Sequence, residues 1–351
     1  MTQPPPEVTW PQVLSALSAR HDLERDELRW AMGQILSGEA TAAQIAAFSV
    51  LLRAKGESPA ELAVLLDVTL ANATPIEIDR EGVDIVGTGG DRAATVNIST
   101  MAGITAAGAG ALVIKHGNRA ASSRSGTADC LEALGVALNV PPARQAEVLE
   151  AAGIVFLFAP LYHPSFRFAG PVRKEIGVPT LFNILGPLGN PARPASMAFG
   201  VADVAMARLV ADVLAARGTR GLVFRGRDGL DELTTTTSSQ VWIVREGTVT
   251  EHELDPTSLG LARAGASDLT GGDAAHNAAV AREILAGRTG PVRDVVLLNA
   301  AAALVAHRGV DERPLEAQFA EQIARAAEAI DSGAAAATLD RWIAATQRTI
   351  A

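Results

Sequence analysis

Apolar positions follow two different periods along this chain. Over residues 1–76 they recur at helical spacing, as in the stripe Leu62, Leu65, Leu66 and Leu70. Three such runs each follow a hydroxyl-bearing residue that has Gln or Glu three positions later, which is typical of a capped helix start. The sequence therefore predicts a helical first region. Its predicted N-caps are Thr9, Thr41 and Ser58.

From residue 83 onward, short runs rich in β-branched side chains alternate with helical segments. Such alternation predicts an α/β fold with a central, mostly parallel sheet. The strands are expected at 83–86, 111–115, 154–158, 197–201 and 221–225, and the intervening helices at 99–109, 127–135, 142–152 and 203–217. A hairpin-like pair is expected at 240–254 and a helical region at 271–347.

Composition narrows the class of protein. The 351 residues are 48% hydrophobic, enough for a large core, and the net charge of −9 argues against general nucleic-acid binding. The single cysteine, Cys130, excludes an intramolecular disulfide, and its apolar helical surroundings favour a buried structural thiol over a nucleophile. The sequence shows no apolar run long enough for a bilayer and no secretory signal pattern. We expect a cytoplasmic protein.

A glycine turn follows the first predicted strand. Residues 87–91 are Gly-Thr-Gly-Gly-Asp, and residues 97–100, Asn-Ile-Ser-Thr, open the next helix. Glycines let backbone N–H groups approach a ligand where a Cβ would collide, and a helix start adds N–H groups and a positive dipole end. The turn is therefore a candidate phosphate site, although the same pattern also occurs in ordinary tight turns.

Charged and polar residues gather after the second predicted strand. Residues 115–119 are Lys-His-Gly-Asn-Arg, and residues 122–129 bring hydroxyl groups to the start of the next helix. Open α/β sheets bind ligands at the carboxyl ends of their strands, so both blocks are expected at that edge. Lys115 is one of only three lysines in the chain, and an ammonium suits phosphate as a point charge.

Together these blocks resemble the anthranilate phosphoribosyltransferases, which join anthranilate to phosphoribosyl pyrophosphate in tryptophan biosynthesis. Three further blocks are similar to the family in the same order along the chain. They are residues 159–164, the central signature at 172–177 and 182–191, and the loop 228–233, which resembles the family's metal-binding loop. Five blocks in one order make the resemblance specific.

The resemblance implies a nucleoside phosphorylase-like fold with two domains. A small helical domain would comprise residues 1–76, joined by the inserted segment 163–187, and a larger α/β domain would comprise residues 77–351. A homodimer through the helical domain is also implied, with surplus apolar surface serving the contact. In the implied reaction, the amine of anthranilate attacks C1 of the ribose and pyrophosphate leaves with the help of Mg²⁺.

The resemblance also implies which residues bind phosphoribosyl pyrophosphate and magnesium. Hard oxygen ligands suit Mg²⁺, and the matching positions are Ser99, Asp231 and Glu232. Without the family, the adjacent pair Asp231 and Glu232 would be interpreted as a solvated turn. The implied phosphoribosyl pyrophosphate ligands are Gly87, Gly90, Asp91, Thr95, Asn97, Ile98, Ser99, Thr100, Lys115, His116, Gly117, Asn118, Arg119, Ser122, Ser123 and Thr127.

A second set of residues is implied for anthranilate. Arg173 can pair with a carboxylate through two parallel N–H groups, although by itself it could equally be a surface arginine of a helix. His116 could orient the substrate or act as a general acid–base; we prefer orientation because an aromatic amine attacks without prior loss of a proton. No residue is assigned as a covalent or essential acid–base catalyst, and His163 is expected to be structural or gating. The implied anthranilate ligands are Gly87, His116, Asn118, Arg173 and Gly186.

Two other functions stay open at this point. Pyrimidine nucleoside phosphorylases share the expected fold and glycine turn, but the run at 115–118 and the two carboxylates at 231–232 favour the transferase. A non-catalytic nucleic-acid-binding paralogue fits poorly with the acidic net charge and the intact carboxylates. The chain departs from the family at Arg92, Gly189 and Phe166, where glycine, threonine and tyrosine are found in relatives; these changes bear on loop mobility and substrate tolerance.

Overall fold

The computed structural model describes residues 8–79, 81–119 and 124–350, which divide into two compact units. The described part of Met1–Thr74 forms a helical unit together with Tyr162–Gly189. The described residues of Pro75–Leu161 and Asn190–Ala351 form an α/β unit. The chain therefore leaves the α/β unit after Leu161 and returns to it at Asn190.

The regular elements, in chain order, are α1 (Trp10–Ser18), α2 (Arg25–Ser37), α3 (Ala42–Lys55), α4 (Pro59–Ala71), β1 (Val83–Gly87), α5 (Ile98–Gly108), β2 (Val113–Gly117), α6 (Thr127–Leu134), α7 (Gln145–Ala152), β3 (Ile154–Phe158), α8 (Ala159–Tyr162), α9 (Gly170–Ile176), α10 (Phe182–Leu188), β4 (Ser196–Gly200), α11 (Val204–Ala216), β5 (Arg220–Gly226), β6 (Ser239–Arg245), β7 (Thr248–Leu254), α12 (Ala274–Leu285), α13 (Pro291–Arg308), α14 (Leu315–Asp331) and α15 (Ala334–Ile350). Short 3-10 turns occur at Pro142–Arg144, Pro164–Arg167, Pro256–Leu259 and Ala266–Leu269.

The first four helices begin where local side chains satisfy their free N–H groups. The hydroxyl of Thr41 accepts the Gln44 N–H, and the hydroxyl of Ser58 accepts the Glu61 N–H, both at 3.3 Å. These bonds confirm two of the predicted caps, and Thr9 is the N-cap of α1. Within the helical unit α1 packs on α3, and α2 packs on α4.

The α/β unit contains one sheet of seven strands in the order β3-β2-β1-β4-β5-β6-β7. The first five pair in parallel, and β6 and β7 add an antiparallel hairpin at one edge. The sheet confirms the predicted fold class. The second strand was predicted two residues too early: β2 continues through Lys115 and His116, which pair with Phe156 and Leu157 of β3.

Small residues allow the helices of this unit to pack closely. α5 is almost completely buried and packs against α13 and α15. A Cβ at Gly108 would lie 2.7 Å from the Cα of Ala335, so glycine is needed where α5 meets α15. Among the helices of the described ranges, none has both the length and the apolar character that a bilayer crossing requires.

Candidate active site

The strand order reverses direction between β1 and β4. From β1 the chain adds β2 and then β3 on one side, and β4 and β5 lie on the other side. Gly87 and Gly200 are partners at the carboxyl ends of these two parallel strands. Ligands of open α/β sheets bind outside the carboxyl ends of the strands at such a reversal. The predicted glycine turn therefore lies where this topology provides a binding crevice.

Asp231 packs directly against this glycine turn. Its Oδ2 atom accepts the Gly89 N–H at 2.7 Å, although the two residues are 142 positions apart. A Cβ at Gly87 would lie 2.1 Å from Asp231 Oδ2, and a Cβ at Gly200 would lie 1.6 Å from the Asp231 carbonyl oxygen. Both strands must therefore end in glycine for the loop that carries Asp231 to reach the turn.

Three carboxylates converge here. One oxygen each of Asp91, Asp231 and Glu232 lies within 4.8 Å of the other two. Burial, together with the nearby Asp91 charge, raises the pKa of Asp231 to about 7. Burial and the charges of Asp231 and Asp91 likewise raise the pKa of Glu232. Glu232 Oε2 is buried and accepts no hydrogen bond from the described residues. This donor set, which includes an unsatisfied carboxylate oxygen, fits a hard divalent cation such as Mg²⁺.

Asn299 of α13 fixes the loop that carries Asp231 and Glu232. The Asn299 side chain accepts the Leu233 N–H at 3.1 Å and donates to the Leu233 carbonyl at 2.8 Å. Asn299 also donates to the Val295 carbonyl of its own helix at 2.9 Å. The backbone that follows Glu232 is therefore fixed by a buried side chain that no sequence motif singled out.

Lys115 is buried beneath this cluster. The residue is 1% exposed, and its ammonium donates to the Ile85 carbonyl and, at 3.2 Å, to Ser99 Oγ. Burial lowers the pKa of Lys115 to about 8, against the opposing charges of Asp84, Glu232 and Asp231. Lys115 thus contacts Ser99, one of the predicted magnesium ligands, and its charge faces the carboxylates.

Asp84 is a buried carboxylate that the sequence analysis did not select. Its Oδ1 accepts the His116 N–H at 3.2 Å, and its Oδ2 accepts from Asn190 Nδ2 at 2.9 Å. Asn190 Nδ2 also donates to the Ile114 carbonyl at 2.8 Å. Burial raises the pKa of Asp84 to about 7. A charged residue inside an otherwise apolar strand was the signal that could have identified it.

The remaining predicted phosphate ligands occupy the loops after β1 and β2. Thr95 forms an isolated bridge with Thr270, and Asn97 precedes α5 without capping it through its side chain. Ile98 and Thr100 are buried in the first turn of α5, and their N–H groups already donate to the Val96 carbonyl at 2.7 Å and the Asn97 carbonyl at 3.2 Å. A Cβ at Gly90 would meet no described atom within 4 Å.

The structure describes the loop after β2 up to Arg119 and again from residue 124. Arg119 is exposed and donates to Asp129 and Glu132 of α6 at 2.8 and 2.9 Å, so its guanidinium is paired in this structure. The Asn118 side chain accepts the Arg119 N–H at 2.7 Å. Gly117 ends β2 and Thr127 begins α6. The predicted ligands Ser122 and Ser123 lie outside the described residues.

The helical unit holds the other predicted anthranilate ligands. Arg173 lies on α9 with its guanidinium 5.6 Å from the centre of the Phe182 ring, and no described carboxylate forms an ion pair with it. Burial lowers the pKa of Arg173. Gly186 lies on α10, where a Cβ would meet no described atom within 4 Å. His163 is buried, and its Nε2 lies 2.7 Å from the Gly189 carbonyl.

Known proteins match both parts of the chain. Residues 79–336 match the family model "Glycosyl transferase family, a/b domain", and residues 11–73 match "Glycosyl transferase family, helical bundle domain". Anthranilate phosphoribosyltransferase from a Nocardioides species is 57% identical over 340 residues, which cover 97% of this chain and 99% of the relative.

Solved structures agree with the sequence match. The chain aligns with anthranilate phosphoribosyltransferase from Thermus thermophilus at a TM-score of 0.88 and 39% identity, over 95% of this chain and 99% of the other. The enzyme from Saccharomyces cerevisiae in complex with PRPP and Mg aligns at a TM-score of 0.88 and 26% identity, over 97% and 98%. The same yeast enzyme in complex with 4-fluoroanthranilate aligns at 0.85 and 25% identity, over 97% and 99%.

Proposed function

This chain belongs to the anthranilate phosphoribosyltransferase family, and on that premise we propose that it transfers the phosphoribosyl group of 5-phosphoribosyl 1-pyrophosphate to the amine of anthranilate. The products are N-(5-phosphoribosyl)anthranilate and pyrophosphate, formed in tryptophan biosynthesis. The observation that carries the proposal is the carboxylate cluster of Asp91, Asp231 and Glu232 at the end of β1. A phosphate turn next to clustered carboxylates, one of which has an unsatisfied oxygen, suits a ligand that arrives as a metal–pyrophosphate complex.

We assign Asp231, Glu232 and Ser99 to Mg²⁺, with Asp91 as a further carboxylate of the same cluster. When bound, Mg²⁺ would neutralise charge on the departing pyrophosphate. Lys115 donates to Ser99 Oγ, which leaves that hydroxyl oxygen a lone pair for the metal. The buried ammonium also offsets part of the charge of the three carboxylates. The metal in the yeast structure supports this assignment by analogy.

The glycine turn would hold the phosphates with backbone N–H groups. Gly89 and Gly90 have φ values of +65° and +86°, a left-handed conformation that turns successive peptide groups toward one side. At the N terminus of α5, which no side chain caps, the Ser99 N–H would add a further donor, since those of Ile98 and Thr100 already bond to backbone carbonyls. Fixed donors of this kind stabilise charge that develops during the reaction without having to reorganise.

For anthranilate we propose that the Arg173 guanidinium binds the carboxylate through two parallel N–H groups. The absence of an ion pair among the described residues leaves this cation available for a ligand. Gly186 would let the aromatic ring pack against backbone, and the family resemblance adds Asn118 and Gly87 as further anthranilate ligands. His116 would orient the substrate from β2. The 4-fluoroanthranilate bound to the yeast enzyme supports a substrate of this shape.

We also propose a cytoplasmic homodimer that forms through the helical unit. Pro11, Leu14, Ser15, Ser18, Ala19 and Leu51 line an open groove on α1 and α3, and Val50, next to Leu51 in the chain, is 39% exposed. Exposed apolar surface of this kind commonly marks a subunit contact. The lone thiol, Cys130, is buried, which suits a reducing compartment. Sedimentation of the purified protein tests the dimer, and Leu14→Glu should shift it to monomer.

The activity has a direct test. Anthranilate fluorescence should fall only when phosphoribosyl pyrophosphate and Mg²⁺ are both present, and the product should contain one phosphoribosyl group per anthranilate by mass spectrometry. Thymidine or uridine with phosphate should release no free base. Phosphorolysis of either nucleoside without any consumption of anthranilate would overturn the proposal in favour of a nucleoside phosphorylase.

A further inference from the structure

We infer that Asn277 is a positioning residue for phosphoribosyl pyrophosphate, an inference that rests on the proposed function. Asn277 lies on α12, is 2% exposed, and stands outside every block that the sequence analysis selected. Its amide nitrogen donates to Asn97 Oδ1 at 2.8 Å, and its amide oxygen accepts the Gly272 N–H at 2.8 Å. Both polar atoms of this buried side chain are therefore used.

Asn97 in turn connects the two loops that carry the proposed phosphate ligands. Its Oδ1 accepts the Ser125 hydroxyl at 3.3 Å, and its Nδ2 donates to the Ser125 carbonyl at 3.2 Å. Asn97 ends the loop after β1, and Ser125 lies just before α6, at the end of the loop after β2. The Asn97 amide is thus a cross-link between two loops, and Asn277 fixes the plane of that amide.

The segment before α12 clamps the same loop through its backbone. The Val96 N–H donates to the Leu269 carbonyl at 3.0 Å, and the Gly271 N–H donates to the Ala94 carbonyl at 2.8 Å. A Cβ at Gly271 would lie 2.5 Å from the Thr95 carbonyl oxygen, so this approach requires glycine. The Gly272 N–H bonds to Asn277 and so attaches this segment to α12. The Asn277 side chain therefore fixes both the segment that contacts the loop after β1 and the Asn97 amide that joins the two loops.

The consequence is specific to one substrate. Loss of the Asn277 amide leaves Asn97 with only its bonds to Ser125 and loosens the spacing between the two loops. Phosphoribosyl pyrophosphate would span both loops, so its binding should weaken. None of the residues proposed for the anthranilate carboxylate or the metal contacts Asn277 among the described side-chain hydrogen bonds, so those functions should persist.

The test is Asn277→Ala, studied by steady-state kinetics and by calorimetric titration of the full chain with phosphoribosyl pyrophosphate and Mg²⁺. The loss of the buried hydrogen bonds to Asn97 and Gly272 predicts a KM and a Kd for phosphoribosyl pyrophosphate raised about tenfold. The KM for anthranilate should stay within about twofold, since a merely structural defect would lower kcat or move both constants together.

A double-mutant cycle separates positioning from an independent effect. If Asn277 acts through Asn97, the variant carrying both Asn97→Ala and Asn277→Ala should bind phosphoribosyl pyrophosphate no more weakly than Asn97→Ala alone. Additive losses would overturn the inference. So would an unchanged KM and Kd for phosphoribosyl pyrophosphate in Asn277→Ala.

Two further variants keep the test decisive. Gln318→Ala removes another buried amide, on α14, which donates to the carbonyls of Asp311 and Arg313; it should lower Tm and leave the KM for phosphoribosyl pyrophosphate unchanged. If Asn277→Ala does not fold, Asn277→Asp keeps an acceptor for Gly272 and loses only the donor to Asn97, with the same kinetic expectation.

A wild-type protein inactive with both substrates would contradict the proposed function itself, before any variant is compared.

Discussion

Two glutamates, Glu61 in the helical unit and Glu232 in the α/β unit, have opposite surroundings. In the helical unit, Glu61 accepts the Lys55 ammonium at 2.7 Å and the N–H groups of Leu23 and Ser58 at 3.0 and 2.9 Å. In the α/β unit, Glu232 lies beside two other carboxylates and has an oxygen with no partner among the described residues. Glu61 is fully hydrogen-bonded within its own unit, whereas Glu232 keeps an oxygen without a described partner.

The difference distinguishes structural charge from charge held for a ligand. A buried ion pair with complete hydrogen bonding can persist without help, and removing one member leaves the other charge uncompensated. Clustered carboxylates raise one another's pKa and destabilise the fold until a cation arrives. Folding alone gives no reason to keep Asp91, Asp231 and Glu232 together, whereas metal binding does.

The largest expected effect follows from removing two of the clustered carboxylates, Asp231 and Glu232. A variant with Asp231→Asn and Glu232→Gln loses the metal's charged ligands, which are worth several kcal/mol, so kcat/KM should fall about a thousandfold. Its Tm in a chelator should equal or exceed that of the wild type, because repulsion and desolvation of charge are relieved. Addition of Mg²⁺ with phosphoribosyl pyrophosphate should raise Tm only in the wild type. Full activity at limiting Mg²⁺ would exclude these residues from the site.

Removing the hydrogen-bonded glutamate of the helical unit, Glu61, should instead lower the stability of the fold. Glu61→Ala leaves the Lys55 ammonium with the Gly56 carbonyl and with Asp22 as its carboxylate partner, and should lower the free energy of unfolding by about 3 kcal/mol, measured by urea denaturation. Kinetic constants of the folded fraction should not move. Arg29→Ala is the matched control, since its ion pair with Asp26 is exposed and 3.8 Å long. A loss of activity in Glu61→Ala that exceeds its unfolded fraction would show that Glu61 is not a purely structural charge.

Arg173 differs from the paired charges around Glu61 in the helical unit, because it is a partly buried cation without a described carboxylate partner. Arg173→Ala should raise the KM for anthranilate about ten- to hundredfold, because charged hydrogen bonds contribute roughly 1.5–3 kcal/mol. Arg173→Lys should recover only part of this, as one ammonium cannot reproduce the planar fork. Arg167, which lies 4.7 Å from the Phe168 ring, supplies the control Arg167→Ala. A change confined to the phosphoribosyl pyrophosphate constant would show that Arg173 is assigned to the wrong substrate.

The smallest effect concerns His163. Burial lowers the pKa of His163, and the hydrogen bond to the Gly189 carbonyl only partly opposes this shift. A histidine with a lowered folded pKa contributes stability above its unfolded pKa of about 6.5 and loses it as the pH falls. Between about pH 7 and 5, His163→Gln should therefore lose less stability than the wild type, as measured by Tm. Parallel curves would show that His163 does not titrate with unfolding.

Local sequence determined the elements and the turn. Alternating apolar runs predicted the strands, and β3 lies where expected because its five residues are all apolar. β2 was placed at 111–115, two residues early, because His116 is polar and polarity marks a strand end unless tertiary contacts bury the residue. Lys115 donates to Ser99, and the His116 backbone N–H donates to Asp84. The glycine turn was predicted from its residues alone, since only glycine readily tolerates those φ values.

Tertiary structure decided which distant residues act together. The pairing of β1 with β4 brings Asp231 to the turn at Gly89, 142 positions away, and this adds Asp91 to the predicted carboxylates. Folding of the whole chain also brings Asn277 of α12 to Asn97, 180 positions away. Periodicity reports only which face of an element is apolar, so it contains no information about which strands become neighbours. Strand order sets these contacts, and strand order results from packing the whole chain.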